Sequence, residues 1–123
     1  DWGHAKDYVE MQWRMLQQDK PEDYVISTGV ETSVRKFIEL SAEKLGWGGI
    51  SWKGSGIDEI GIRRDNNQIV IKIDPAFYRP AEVEHLLGNA SKAHSKLGWK
   101  PTCSLEELVS EMIDSDMKID SKY

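Results

Sequence analysis

The chain has 123 residues, enough for one domain or for part of one. Lys and Arg total 16 against 21 Asp and Glu, and this net charge of −5 argues against non-specific binding to nucleic acid or to an anionic membrane. No apolar run is long enough to span a bilayer and no targeting signal is visible. Cys103 is the single cysteine, so an internal disulfide is excluded, and we expect a cytoplasmic protein.

The N-terminal third predicts helix, strand and helix. Apolar residues mark one face of a helix over residues 4–18, and we expect this face in the core: Ala5, Tyr8, Val9, Trp13 and Leu16. Met11 and Met15 widen it. The β-branched and aromatic run Tyr24–Thr28 predicts a strand. A second helix is predicted over residues 33–45, with Thr32 or Ser33 as its cap and Gly46 after its end.

The remainder predicts a small sheet followed by two helices. Glycine-rich residues 46–74 favour strands near 50–53, 59–63 and 68–73, with a turn at residues 65–67. We expect irregular structure over residues 76–88 and helices over residues 90–97 and 105–117. Asn89 or Ser91 is the expected cap of the first helix, and Ser104 with Glu107 forms a capping box for the second. Trp99 is expected as a packing anchor. The pattern is mixed α+β.

Few residues suggest chemistry directly. His4, His85 and His94 lack the spacing of a metal site, so we expect no metal ligands. The glycine pairs are not followed by helices, so no nucleotide-cofactor loop is predicted. Cys103 is interpreted as a structural thiol rather than a nucleophile. No catalytic residue is predicted in this chain.

Three residues are candidates for ligand binding. Pro80 holds Arg79 in an extended conformation with Glu82 three residues on, a combination suited to a diphosphate and a ribose diol. An ordinary surface ion pair between Arg79 and Glu82 is the alternative. Trp52, on a predicted strand, either stacks on a base or sugar or covers a thin core.

The start of the chain matches the pattern R-D-[aromatic]-x-H-x-x-D from its Asp onward, and a later segment matches R-P-x-[ED]-V. These and four further segments resemble the extended short-chain dehydrogenases that act on nucleotide sugars: Asp1–Val9, Tyr24–Gly29 with Ser33–Arg35, Phe77–Val83, Asn89–Ala93, Leu97–Pro101 and Ser104–Leu108. Within that superfamily, Asp1–Val9, Gln17-Gln18, Pro21–Asp23 and Tyr78–Glu84 together resemble the GDP-mannose 4,6-dehydratase family, in particular its bacterial members.

Because the first residue is Asp1 rather than Met, we expect the chain to start inside a longer gene product. The resemblance implies that it is the C-terminal portion of such an enzyme.

The resemblance implies an NADP-dependent parent enzyme that converts GDP-D-mannose to GDP-4-keto-6-deoxy-D-mannose and water, the entry to GDP-fucose. It implies that residues 1–46 are the last helix–strand–helix elements of a Rossmann domain and that residues 47–123 form a small α+β substrate-binding region. By similarity, Arg79 contacts the GDP phosphates and Glu82 the ribose hydroxyls. The glycine-rich loop and the Tyr-x-x-x-Lys pair belong to the missing N-terminal half. We therefore expect a parent that is a homo-oligomer and a fragment that neither binds NADP nor turns over substrate.

Three alternatives stay open. Another nucleotide-sugar dehydratase or epimerase of the same superfamily would differ in its choice of base. A freestanding, non-catalytic binding module derived from such an enzyme would lack the cofactor half. A mere folded fragment would expose apolar surface and self-associate, since Met11, Met15 and the strand at residues 24–28 would have lost their partners.

Overall fold

The computed structural model describes residues 1–79, 81, 83 and 85–120, which form four α-helices and one antiparallel sheet of three strands. This confirms the predicted mixed α+β class. The elements, in chain order, are α1 (Ala5–Leu16), α2 (Val34–Lys44), β1 (Ile50–Lys53), β2 (Ile60–Arg63), β3 (Ile69–Lys72), α3 (Ser91–Leu97) and α4 (Leu105–Asp120). None of these helices combines the length and the apolar character that a membrane crossing requires.

The chain divides into two compact units, which are described separately. Unit 1 consists of Asp1–Thr32 and His85–Glu111, and unit 2 of Ser33–Glu84 and Met112–Tyr123. The predicted boundary after residue 46 concerns the domains of a larger enzyme, and it stays a prediction.

Trp99 is the centre of the core of unit 1, as predicted. Its side chain is 1% exposed and packs with Met11, Ala90 and Ala93, and Tyr8 lies beside it with ring centroids 6.4 Å apart. A fully buried indole of this size contributes a large share of the burial available to such a small core. Helices α1 and α3 are therefore held together largely through this one side chain.

The predicted core face of α1 is wrong except at Tyr8, which packs against the core. Val9 and Trp13 are each 61% exposed and Leu16 is 82% exposed, whereas Asp7 and Met11 are buried. Successive residues of a helix are 100° apart, so Val9 lies nearly opposite Asp7. The helix thus has two apolar faces, and Trp99 with its neighbours covers the face of Met11 and Met15. The expectation that these two methionines would lose their partners is also wrong.

The strand predicted over Tyr24–Thr28 is absent, because no strand in the described part of the chain pairs with this segment. A strand is stable only when a neighbour receives its backbone hydrogen bonds. Instead, the Asp1 carboxylate accepts hydrogen bonds from the Thr28 and Gly29 amides at 2.8 and 2.9 Å, and from the Thr28 hydroxyl at 2.6 Å. Side-chain packing also holds the segment, since Tyr24 and Ile26 pack against the core.

A buried carboxylate connects α1 with the turn before α4. Asp7 is 4% exposed and accepts hydrogen bonds from the Thr102 hydroxyl at 2.6 Å, the Thr102 amide at 3.0 Å and the Cys103 amide at 3.1 Å. The Trp99 indole N–H donates to the Asp7 carbonyl at 2.9 Å. Burial alone would raise the pKa of Asp7, but these hydrogen bonds outweigh it and lower the pKa below its ordinary value.

Unit 2 contains α2 and the sheet, whose strands are ordered β1-β2-β3. The three strands lie within one residue of their predicted ends. Gly61, at the centre of β2, pairs with Trp52 on one side and with Ile71 on the other. A Cβ at this position would lie 2.9 Å from the Ile71 Cβ and 3.1 Å from the Trp52 ring. Glycine is therefore needed here for the two side chains to close over β2.

Helix termini follow the sequence closely. Ser33 caps α2 by accepting from the Lys36 amide, and Gly46 follows the helix with a φ of 72°. The predicted capping box of α4 is present in both directions, with Ser104–Glu107 bonds of 2.8 and 3.2 Å. The predicted cap of α3 is wrong: the cap residue is Ala90, without a side-chain cap bond, and Asn89 before it accepts from the Ser91 amide. These contacts confirm the predicted helix boundaries to within a few residues.

The Asp7→Ala substitution should destabilise the chain by about 2–4 kcal/mol, because it leaves three donors without their acceptor. Urea unfolding followed by circular dichroism would measure the loss. Asp19→Ala, at an exposed position just after α1, is the matched control and should change stability by less than about 0.5 kcal/mol. Equal effects of the two substitutions would contradict the role assigned to Asp7.

Lowering the pH should remove the contribution of Asp7 to the free energy of unfolding. Because the pKa of Asp7 is lowered in the folded state, its stabilisation is complete above the unfolded pKa of about 4 and is lost as the pH falls through the folded value. The stability gap between the native chain and Asp7→Ala should therefore be widest near neutral pH and should narrow below about pH 4. A constant gap across this range would exclude the ionised carboxylate as its source.

The 123-residue chain on its own should self-associate through the exposed face of α1. One face of this helix exposes three large apolar side chains to water, which is unfavourable: Val9, Trp13 and Leu16. Sedimentation equilibrium should detect oligomers at micromolar concentration, and the double variant Trp13→Gln, Leu16→Gln should reduce them. Met117→Gln, at an exposed position on α4, is the control. A strict monomer with a melting temperature independent of concentration would contradict this prediction.

Candidate functional site

Arg79 lies on an exposed segment of unit 2 that follows a single 3-10 turn at Pro75–Phe77. The Asp74 carboxylate caps this turn by accepting from the Ala76 amide at 2.9 Å. The Tyr78 hydroxyl lies over Gly56, in the β1–β2 connection, at 3.4 Å from where a Cβ would stand. These two contacts therefore hold the residues just before Arg79 close to the β1–β2 connection of unit 2. Glu82, its predicted partner, lies outside the described residues.

Trp52 lies on β1 and contacts two charged side chains, one of which pairs with a third. Its indole N–H donates to Glu39 of α2 at 3.2 Å, and the Arg35 guanidinium carbon stands 4.2 Å from the ring centroid. Arg35 in turn bonds Glu59 at 2.5 Å. This arrangement joins α2 to the sheet, and it leaves less of the indole for contact with a ligand. Sequence reasoning singled out Trp52 but not the charged groups around it, which lie 7 to 17 positions away in the chain.

The histidines and the cysteine have local roles. His4 caps α1 by accepting from the Lys6 amide at 3.0 Å, and its other ring nitrogen lies 3.2 Å from Glu111. Burial raises the pKa of the Cys103 thiol, and nearby Glu107 and Asp7 raise it further, so the thiol is not activated. Among residues 1–79, 81, 83 and 85–120, no group of three or more His, Cys, Asp or Glu side chains is placed to hold a metal ion.

A cavity of about 320 Å³ lies within unit 1, beside the N-terminal end of α3. Its wall consists of Thr28, Gly29, the segment 87–91 and His94. None of these residues carries a formal charge when His94 is neutral. The cavity thus offers neutral hydrogen-bonding groups and some apolar surface.

Glu31 makes a contact that the sequence did not reveal. Its carboxylate bonds the His85 Nδ1 at 3.1 and 3.2 Å and accepts from the Leu86 amide at 3.2 Å. The partners are 54 and 55 positions from Glu31, and no local pattern connects residues so far apart. The contact joins two parts of unit 1, at the point where the chain returns to this unit after Glu84.

The comparison with known proteins is specific. The sequence profile of the GDP-mannose 4,6 dehydratase family matches residues 1–112. The chain belongs to this family.

Curated relatives share about half of their aligned residues with the chain. A GDP-mannose 4,6-dehydratase of Vibrio cholerae is 51% identical over 100% of this chain and 36% of its own length. GDP-mannose 4,6 dehydratase 2 of Caenorhabditis elegans is 50% identical over 97% of the chain and 31% of its own length. The human GDP-mannose 4,6 dehydratase is 46% identical over 97% of the chain and 32% of its own length. The chain therefore spans about a third of the length of these relatives.

The Arg35–Trp52 contact should show a measurable coupling. Arg35→Ala, Trp52→Leu and the double variant form a cycle, and we expect a coupling of about 0.5–1 kcal/mol from the cation–π contact. Urea unfolding of the four proteins supplies the values. Trp52→Leu leaves the Arg35–Glu59 ion pair in place, so the cycle isolates the ring contact. Additive effects would show that the stacking contributes nothing.

Proposed function

We propose that this chain is the substrate-binding portion of an NADP-dependent GDP-D-mannose 4,6-dehydratase. The enzyme converts GDP-D-mannose to GDP-4-keto-6-deoxy-D-mannose and water. The observation that carries the proposal is the family match over residues 1–112, which includes the segment Phe77–Val83.

Arg79 and Glu82 are the proposed substrate contacts. A guanidinium offers paired N–H donors that suit diphosphate oxygens, and a carboxylate accepts from the two hydroxyls of a ribose. Exposure of Arg79, with Tyr78 and Asp74 fixing the chain before it, supports this role. Trp52 is a weaker candidate, because Glu39 and Arg35 already engage its ring.

This chain does not itself fit NADP. Its sequence has no glycine-rich loop between a strand and a helix, the feature that holds a dinucleotide pyrophosphate. The cofactor and the catalytic groups are therefore assigned to the rest of the enzyme, whose relatives are about three times as long as this chain. The role of the chain is to bind and orient the nucleotide end of the substrate. Alone, it should be inactive.

The test is turnover by the full-length gene product with NADP. GDP-mannose, dTDP-glucose and UDP-glucose should be compared at equal concentration, and only GDP-mannose should give a 4-keto product. Turnover of dTDP-glucose or UDP-glucose instead would assign the enzyme to another nucleotide-sugar dehydratase or epimerase. A full-length product with no turnover that still binds GDP would favour the non-catalytic binding module.

Arg79→Ala in the full-length enzyme should raise the KM for GDP-mannose by roughly 30- to 150-fold. This corresponds to losing on the order of 2–3 kcal/mol of charge-assisted hydrogen bonding. Arg79→Lys keeps the charge but not the paired donors, and it should fall between native and Ala. Arg64→Ala, at another exposed arginine of unit 2, is the control. An unchanged KM for Arg79→Ala would remove Arg79 from the site.

A further inference from the structure

Helix α1 carries a second apolar face, which is open to solvent in the described structure. Val9 and Trp13 are each 61% exposed, and Leu16 is 82% exposed. With about 100° between successive residues, these three side chains lie within an arc of about 60° around the helix axis. We call these three residues the open face of α1.

The core of unit 1 is complete without the open face. Met11 lies on the opposite side of the helix, where it is buried and packs with Trp99. A helix at the surface of a domain usually has one apolar stripe and is polar elsewhere, whereas a helix that is apolar on more than one side is buried. The sequence of α1 is therefore that of a helix covered on two sides.

The residues around the open face allow a partner to pack closely. Gln12 and Gln17 lie beside it and carry no charge. Lys6 lies at its N-terminal end, where a long side chain can cover apolar surface and still keep its ammonium group in water. Further round the helix, Glu10 and Arg14 pair with each other at 2.6 Å. Covering the open face therefore need not bury an unpaired charge, which would be the main cost of such packing.

The size of the open face favours a tethered segment of the same enzyme over a second copy. An interface between two separate proteins usually takes about 20–30 residues on each side, because association must offset a large loss of translational and rotational freedom. The three side chains of the open face are far fewer. A segment tethered to α1 by its own chain incurs little of that loss, since it is present at an effective concentration in the millimolar range.

The family comparison indicates that such a segment exists. The Vibrio cholerae relative aligns with this chain over 36% of its own length, and the human relative over 32%. About two thirds of each relative's length therefore lies outside the part that aligns with this chain. Helix α1 lies within the residues that the family profile matches. In an enzyme of that length, α1 has a much larger remainder of the chain to pack against.

We propose that the open face of α1 is an internal docking surface: it packs against an apolar surface of the same enzyme molecule, formed by the part that lies outside these 123 residues. The self-association expected of the 123-residue chain alone is then the consequence of leaving this surface uncovered. The inference rests on family membership and on the length of the relatives, and it does not depend on turnover of GDP-mannose.

Thiol reactivity in the full-length enzyme tests whether the open face is covered. Leu16→Cys places a thiol at its most exposed position, and Asp19→Cys, at an exposed position just after α1, is the matched control. Modification by N-ethylmaleimide is followed by mass spectrometry of the peptide that carries the new thiol. Each rate is divided by the rate for the same variant unfolded in urea. Leu16→Cys should react at least about tenfold more slowly when folded, whereas Asp19→Cys should stay within about threefold.

Photo-cross-linking in the full-length enzyme identifies what covers the open face. Trp13 is replaced by the photoreactive aromatic residue p-benzoylphenylalanine, and Asp19 by the same residue as the control. After irradiation, position 13 should give a product with the mass of one chain, in which the linked peptide lies outside residues 1–123. Position 19 should give little of this product. If the altered enzymes do not fold, hydroxyl-radical oxidation of native Trp13 measures its cover without any substitution, and it should be slower than in the urea-unfolded enzyme.

Equal reactivity of Leu16→Cys in the folded and the unfolded enzyme would overturn the proposal, as would oxidation of native Trp13 at the unfolded rate. Equal protection of Leu16→Cys and Asp19→Cys would also overturn it, since the cover would not be specific to the open face. A cross-linked product with the mass of two chains would assign the face to a second copy instead. Protection without turnover of GDP-mannose would contradict the proposed function and leave this inference intact.

Discussion

The buried carboxylate of Asp7 is the interaction on which unit 1 depends. An ionised group this deep is tolerated only when hydrogen bonds replace its water, and Thr102 and Cys103 supply them. The bonds join residues 95 and 96 positions apart and set the approach of α4 to α1. The Trp99 indole, bonded to the backbone of the same residue, is thereby placed over Met11. The bonds to Asp7 and the apolar packing around Trp99 therefore depend on each other for their positions.

The segment proposed to bind substrate is exposed and is preceded and followed by fixed points. Before Arg79, the Asp74 cap and the Tyr78 hydroxyl fix the backbone within unit 2. After it, Glu31 and the close packing of Gly88 fix the backbone within unit 1. An arginine that grips a diphosphate needs an exposed guanidinium and a restrained main chain, and loops on rigid elements commonly provide both. The anchors are polar because the segment itself buries little apolar surface.

Helix α1 shows how one sequence pattern serves two surfaces. Its Met11 face is buried within unit 1, while its Trp13 face stays open in a chain that spans about a third of its relatives' length. The apolar stripe on the exposed face is at least as regular as that on the buried face. Periodicity identifies amphipathic faces, but it does not rank them. The choice between them depends on which partner supplies the larger complementary surface, here Trp99.

The sequence by itself determined the caps of α2 and α4, the hairpin strands and, through family resemblance, Arg79 and Glu82 as proposed substrate contacts. Those features depend on backbone preferences and hydrogen bonds over three or four positions, as the Ser104–Glu107 box shows. Only the tertiary structure decided that Asp7 is buried, that residues 24–28 form no strand, and that Glu31 meets His85. Each of these outcomes depends on groups far apart in the chain, whose proximity follows from packing and is not encoded in any local pattern.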